Sequence, residues 1–188
     1  MRGMVTVALL LHIALAVPPK ALAPLTLSVA VAEAAALWGP YGVALDAADT
    51  CASAPDDALI LELAVEAPPP ASLPRTWQGA LGSIVFDGAG APVPTITVHL
   101  TALLHVLRGA SVFGGEARWP AIVRDRIVGR AIGRVIAHEI GHYLLRTSAH
   151  ADRGLMRPLL TPDLLSSPSR HDFELTPAER SRVMEMSR

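Results

Sequence analysis

The sequence predicts an α+β fold of one domain spanning residues 1–188. Three observations carry that expectation. Four or five short β-rich runs are spread over the first hundred residues. A helix-like segment follows the first of them, and a longer helical signal with one buried stripe occupies the chain after Trp119. Just over half of the residues are apolar and 18% are charged, which suits a chain long enough to bury a core and excludes a disordered or coiled-coil one.

The first β-rich run is Met4 to Val17. It also reads as an export signal, with Arg2 ahead of it and small residues placed for cleavage before Val17 (Ala14, Ala16) or before Pro24 (Ala21, Ala23). A cleaved leader would make the protein secreted or periplasmic; an uncleaved one leaves it cytoplasmic. Val5, Val7 and Ile13 favour a strand, and the run is short of the roughly 20 apolar residues of a membrane span, so no stable membrane insertion is expected. From Pro24 to Trp38 an Ala- and Leu-rich stretch, opened by proline and closed by Gly39 and Pro40, predicts a helix. Gly42 to Asp46 and Ala58 to Val65 predict strands, separated by a polar loop around Cys51. The segments GALGSIVFDG and TITVHL predict two more, joined through the turn-rich GAGAPVP. His99 and His105 read as ordinary packed or edge histidines.

The long helix is predicted from Pro120 to about Arg146. Val128, Ile132, Val135, Ile136, Ile140 and Leu144 recur at spacings of three and four. Gly129, Gly133 and Gly141 each weaken it by about 1 kcal/mol relative to Ala, a cost that close approach of another backbone would offset. Residues 147–188 form a C-terminal part that is loop-like through Pro158, Pro162 and Pro168. It then enters a helix whose start is marked by Thr176 as cap, Pro177 in the first turn and Glu179 completing a capping box.

Charge excludes one class of partner. Sixteen basic and seventeen acidic residues nearly cancel, so no footprint for nucleic acid is present. Cys51 is the only cysteine, so a metal site here would use histidine and carboxylate.

The predicted helix carries such a site in the segment HEIGH. His138 and His142, four residues apart, project from one face within reach of one ion. Glu139, about 100° around the helix from His138, can engage a water beside that ion without ligating it. Their apolar flanks make two histidines and a glutamate costly unless partnered. A catalytic zinc takes three protein ligands and leaves a position open. His150, just past the helix end, is the third candidate. Glu174 is an alternative, and Asp152, Asp172 and His171 are weaker ones.

The segment HEIGHYLLRTSAHADRGLM resembles the metzincin clan of zinc endopeptidases, in the manner of short bacterial members with a late third histidine followed by GLM. The third histidine lies two residues later than in the usual HExxHxxGxxH. Arg146 stands where that branch often has glycine, at a helix end whose φ > 0 conformation a long side chain tolerates less well.

The resemblance implies a three-layer-like arrangement: a mixed, twisted sheet on a backing helix and an active-site helix. It also implies a Zn²⁺ cofactor on His138, His142 and His150, Glu139 as general base, and Met156 as a floor beneath the metal. Peptide substrate would run along an edge strand at Ala80, Leu81, Gly82, Ser83 and Ile84. Oxyanion stabilisation would fall to zinc or Arg157; Tyr41 and Tyr143 are the only tyrosines for any auxiliary role. The expected protein is a monomeric peptidase acting on protein or peptide. The alternative from another class is a non-catalytic zinc-binding module.

Overall fold

A computed structural model describes residues 11–48, 58–66 and 79–186. The loop at Cys51 and residues 4–10 of the first run lie outside them. The described chain is α+β, as expected: a five-stranded mixed sheet with helices against it and a helical C-terminal part.

The strands are β1 (Leu11–Ala16), β2 (Val43–Ala48), β3 (Leu59–Glu66), β4 (Gly82–Phe86) and β5 (Pro92–His99), in spatial order β2-β1-β3-β5-β4. All neighbours pair in parallel except β4, which runs antiparallel to β5 at the edge. β1 is an interior strand. Ile13 is in register with Leu45 on one side and Leu59 on the other, and Ile13, Ala14 and Leu15 are buried. A chain cleaved before Val17 would lack β1 and leave β2 and β3 without their shared neighbour.

The backing helix α1 (Pro24–Trp38) has the bounds read from the sequence, and buries Thr26, Ala30, Glu33, Ala34, Leu37 and Trp38 at helical spacing. It lies along the long helix α3 (Ala121–Leu145). Two of the three glycines in α3 explain how close it comes. A Cβ on Gly129 would sit 2.6 Å from the Thr26 carbonyl oxygen, and one on Gly133 would strike the Ala30 carbonyl. The helix-propensity cost of these glycines is offset by backbone-to-backbone packing with α1.

Two helices were not legible beforehand. The chain turns from β5 directly into α2 (Leu100–Leu107), whose Leu103 and Leu107 are buried one turn apart. TITVHL is therefore strand only as far as His99. The proline-rich stretch also holds a short α4 (Pro162–Ser166), capped by Thr161, whose hydroxyl accepts from Leu164 N–H. The last helix, α5 (Pro177–Met186), starts at the predicted box: Thr176 N–H donates to Glu179 Oε2 at 2.8 Å and Glu179 N–H to Thr176 Oγ1 at 3.4 Å. α5 packs behind α3, with Val183 buried and Arg182 donating to the Leu145 carbonyl. Leu155, Leu165, Phe173, Leu175 and Val183 join the same hydrophobic cluster as the sheet. Among the described residues no helix is long and apolar enough to cross a membrane.

Arg146 caps α3 in the left-handed conformation, φ 49° and ψ 49°. The turn forms without glycine. Its N–H reaches the His142 and Tyr143 carbonyls, and Thr147 N–H also bonds His142. Because a side chain at φ > 0 is strained by about 1–2 kcal/mol and glycine gives part of that back as unfolded-chain entropy, Arg146→Gly is expected to stabilise the protein by up to about 1 kcal/mol. A higher urea midpoint would bear this out; an unchanged or lower one would mean that the arginine side chain supplies a compensating contact.

Candidate metal centre

α3 brings His138 and His142 to its buried face one turn apart, and the loop after Arg146 returns His150 to them. Ring centroids are 4.7 Å apart for His138 and His142, 4.9 Å for His142 and His150, and 5.2 Å for His138 and His150. One nitrogen from each ring lies within 4.8 Å of the others. These three are close enough to hold a metal ion.

Two backbone carbonyls orient the first two rings. His138 Nδ1 donates to Leu155 O at 2.8 Å, and His142 Nδ1 to Thr147 O at 2.7 Å. A carbonyl only accepts, so each Nδ1 carries its ring's proton. Burial holds His138 neutral, its pKa lowered to about 4, and lowers that of His142 also, with the nearby His150 charge acting the same way. Each Nε2 is then a bare lone pair. The two Nε2 atoms nevertheless face each other at 3.0 Å, an arrangement that repels unless a cation lies between them. Two Zn–N bonds of about 2.0–2.1 Å at a tetrahedral angle would separate their nitrogens by about 3.3 Å. The donor set therefore fits zinc: neutral imidazoles, tautomer-locked by carbonyl partners, with the third ring more exposed.

Glu139 is 5% exposed, and burial pushes its pKa up to about 7. It lies against β4. A Cβ on Gly82 would stand 2.9 Å from Glu139 Oε1 and 2.5 Å from Val135 Cγ1. Glycine at 82 lets the edge strand approach the carboxylate, a requirement no local pattern in GALGS signals. Gly141 plays the matching part beneath the helix, where a Cβ would collide with Met156 Sδ. Met156 is buried under the HEIGH turn, its carbonyl accepting from Ala151 N–H at 2.8 Å.

The three histidines and Glu139 border a cleft of about 860 Å³, whose walls include Ala80 to Ile84, His105 and Val106 of α2 with Arg108 just beyond it, and the segment from Arg157 to Pro162. Strand β4 begins at Gly82, so Ala80 and Leu81 form the approach to it; Leu81 O accepts from His99 N–H. Arg157 lines the cleft but spends Nε on Gly154 O and Nη2 on Asp172 O.

Other candidates lie elsewhere. Glu174 is exposed and its carboxylate pairs with His171 at 3.3 Å, outside the histidine group. Asp152 and Asp172 are exposed as well. Tyr41 accepts from Leu175 N–H in the core, and Tyr143 packs at the core's margin. His99 ends the interior strand β5, between Glu66 of β3 and Ser83 of β4. His105 stands in the cleft wall.

Arg134, one turn before His138, was not singled out by the sequence, although a charge within an apolar helical stripe is a signal. It is fully buried, donates to Glu33 Oε1 at 2.9 Å, to Leu164 O and to Ser169 O, and stacks on Phe173 at 4.4 Å. Burial lowers its pKa, against the opposing pull of Glu33. Arg170 meets the second oxygen of Glu33. Through this network α1 and α3 grip the C-terminal segment that follows Met156.

No family model, no curated protein and no solved structure matches this chain.

Proposed function

We propose that the protein is a compact, metzincin-like zinc endopeptidase that acts as a monomer on protein or peptide substrates. The observation that carries this reading is the pair of unprotonated Nε2 atoms 3.0 Å apart, with His150 as third donor and a buried carboxylate beside them. Zinc held by His138, His142 and His150 would supply Lewis acidity toward a water and the scissile carbonyl. Glu139 takes the water's proton and passes it to the leaving amine. The edge of β4, which no other described strand pairs, offers backbone hydrogen bonds to an extended peptide, with Ala80 and Leu81 leading into it. Met156 holds the helix turn from below. Three histidine donors favour catalysis over a structural role, since structural zinc sites close all four positions with protein ligands.

The test is hydrolysis of casein by zinc-loaded protein, with metal content measured alongside. Cleavage is expected to stop on chelation and return with zinc. His138→Ala, His142→Ala and His150→Ala should each weaken zinc binding by more than about 100-fold, beyond what losing an outer partner costs, while Glu174→Ala should keep the metal. Full zinc retention by His150→Ala would overturn its assignment. Bound zinc without hydrolysis of any of several substrates would favour the binding module.

A further inference from the structure

We propose that the cleft selects peptides bearing a carboxylate near the scissile bond, read by Arg108; this rests on the peptidase function above. Arg108 caps the C-terminus of α2, is exposed, and borders the cleft. No hydrogen bond or ion pair to a described residue engages its side chain. Asp163, in the α4 that closes the same wall, is already occupied: its Oδ1 accepts from both Ser111 N–H at 2.9 Å and Ser111 Oγ at 2.8 Å.

Charge in the cleft is lopsided. Arg108 and Arg157 both border it, and the carbonyl partners of Arg157 fix its position without neutralising it. The only acid among the described lining residues is Glu139. Even with Glu139 ionised, two cations face one anion, in a protein whose overall charge is −1. A guanidinium that borders a partly apolar cleft with no partner among the described residues is matched by a carboxylate, which it can bind through two parallel N–H bonds. The carboxylate could belong to an acidic side chain or to the substrate's own C-terminus; the chemistry is shared.

The test uses four labelled peptides of otherwise identical sequence. Three are amidated and carry Glu, Gln or Lys on both sides of the cleaved bond; the fourth carries Gln and a free C-terminus. Anisotropy with zinc-loaded and with chelator-treated protein gives Kd, and cleavage by the loaded protein gives kcat/KM. The Glu peptide, or the free-terminus peptide if that is the source, is expected to bind and react about tenfold better than the amidated Gln peptide, the scale of one charge-assisted hydrogen bond. The advantage should shrink with salt, survive Arg108→Lys in part, and turn toward the Lys peptide in Arg108→Glu. Equal Kd for all four peptides, or a preference unchanged in Arg108→Glu, would overturn the inference. Charge-selective binding without cleavage would sustain it while removing the peptidase reading, and cleavage without charge preference would do the reverse.

Discussion

Zinc-loaded protein carrying Glu139→Gln is expected to cleave casein about 10²–10⁴-fold more slowly than wild type, the range a positioned general base supplies. Its zinc content should not change, because Glu139 is not among the three donor residues. The same substitution should stabilise the metal-free protein at high pH. Burial raises the Glu139 pKa from 4.5 to about 7. Below 4.5 the group is protonated in both folded and unfolded chains, and its burial has no ionic cost. As pH rises from 4.5 through about 7 the unfolded chain ionises first and the folded state must then hold a buried carboxylate, so stability on the order of 3 kcal/mol is lost across that window. Gln mimics the protonated acid. Thermal unfolding in chelator should therefore give matching midpoints for the two proteins at pH 4 and a higher one for Glu139→Gln at pH 8. The opposite trend of His138, which loses stability as pH falls from 6.5 through about 4, is common to both proteins and drops out of the difference. Matching midpoints at pH 8 would mean that Glu139 is solvated, and full activity would remove it as the base.

Arg134→Ala is expected to cost about 3–5 kcal/mol of unfolding free energy, the scale of breaking a buried ion pair on one side. Glu33, 4% exposed, would be left with Arg170, whose side chain is half in solvent. The carbonyls of Leu164 and Ser169 would lose their donor too. Replacing both partners with apolar residues of similar volume, Arg134→Met with Glu33→Leu, should cost much less than the single change, since no charge is then stranded. Urea unfolding of the two singles and the double closes the cycle. A single-mutant loss below about 1 kcal/mol, the range of an exposed pair, would mean that water reaches the network.

The elements that were legible in the sequence are those whose signals are local. The Pro24 and Gly39 punctuation defines α1, the apolar stripe defines α3, and the Thr176–Glu179 box marks the start of α5. Helix α2 was hidden because TITVHL runs into Leu- and Ala-rich sequence with no turn residue to mark the change. Helix α4 was masked by prolines, although Pro162 sits in its first turn, where no N–H is missed.

For the centre itself, four-residue spacing on a helix was enough to place His138 and His142 together, because 3.6 residues per turn leaves no other outcome. What the spacing could not decide was the return of His150, the carbonyls of Leu155 and Thr147 that lock the tautomers, and the approach of Gly82 to Glu139. Nor could it pair Arg134 with Glu33 across 101 positions. Apart from the Thr147 carbonyl, five residues beyond His142, those are contacts between segments further apart in sequence, created only when α1, the edge strand and the turn at Met156 close on α3. Helical periodicity acts over a few residues and is written in the chain. The burial that neutralises His138, raises the Glu139 pKa and ties Arg134 to Glu33 arises only when these layers pack together.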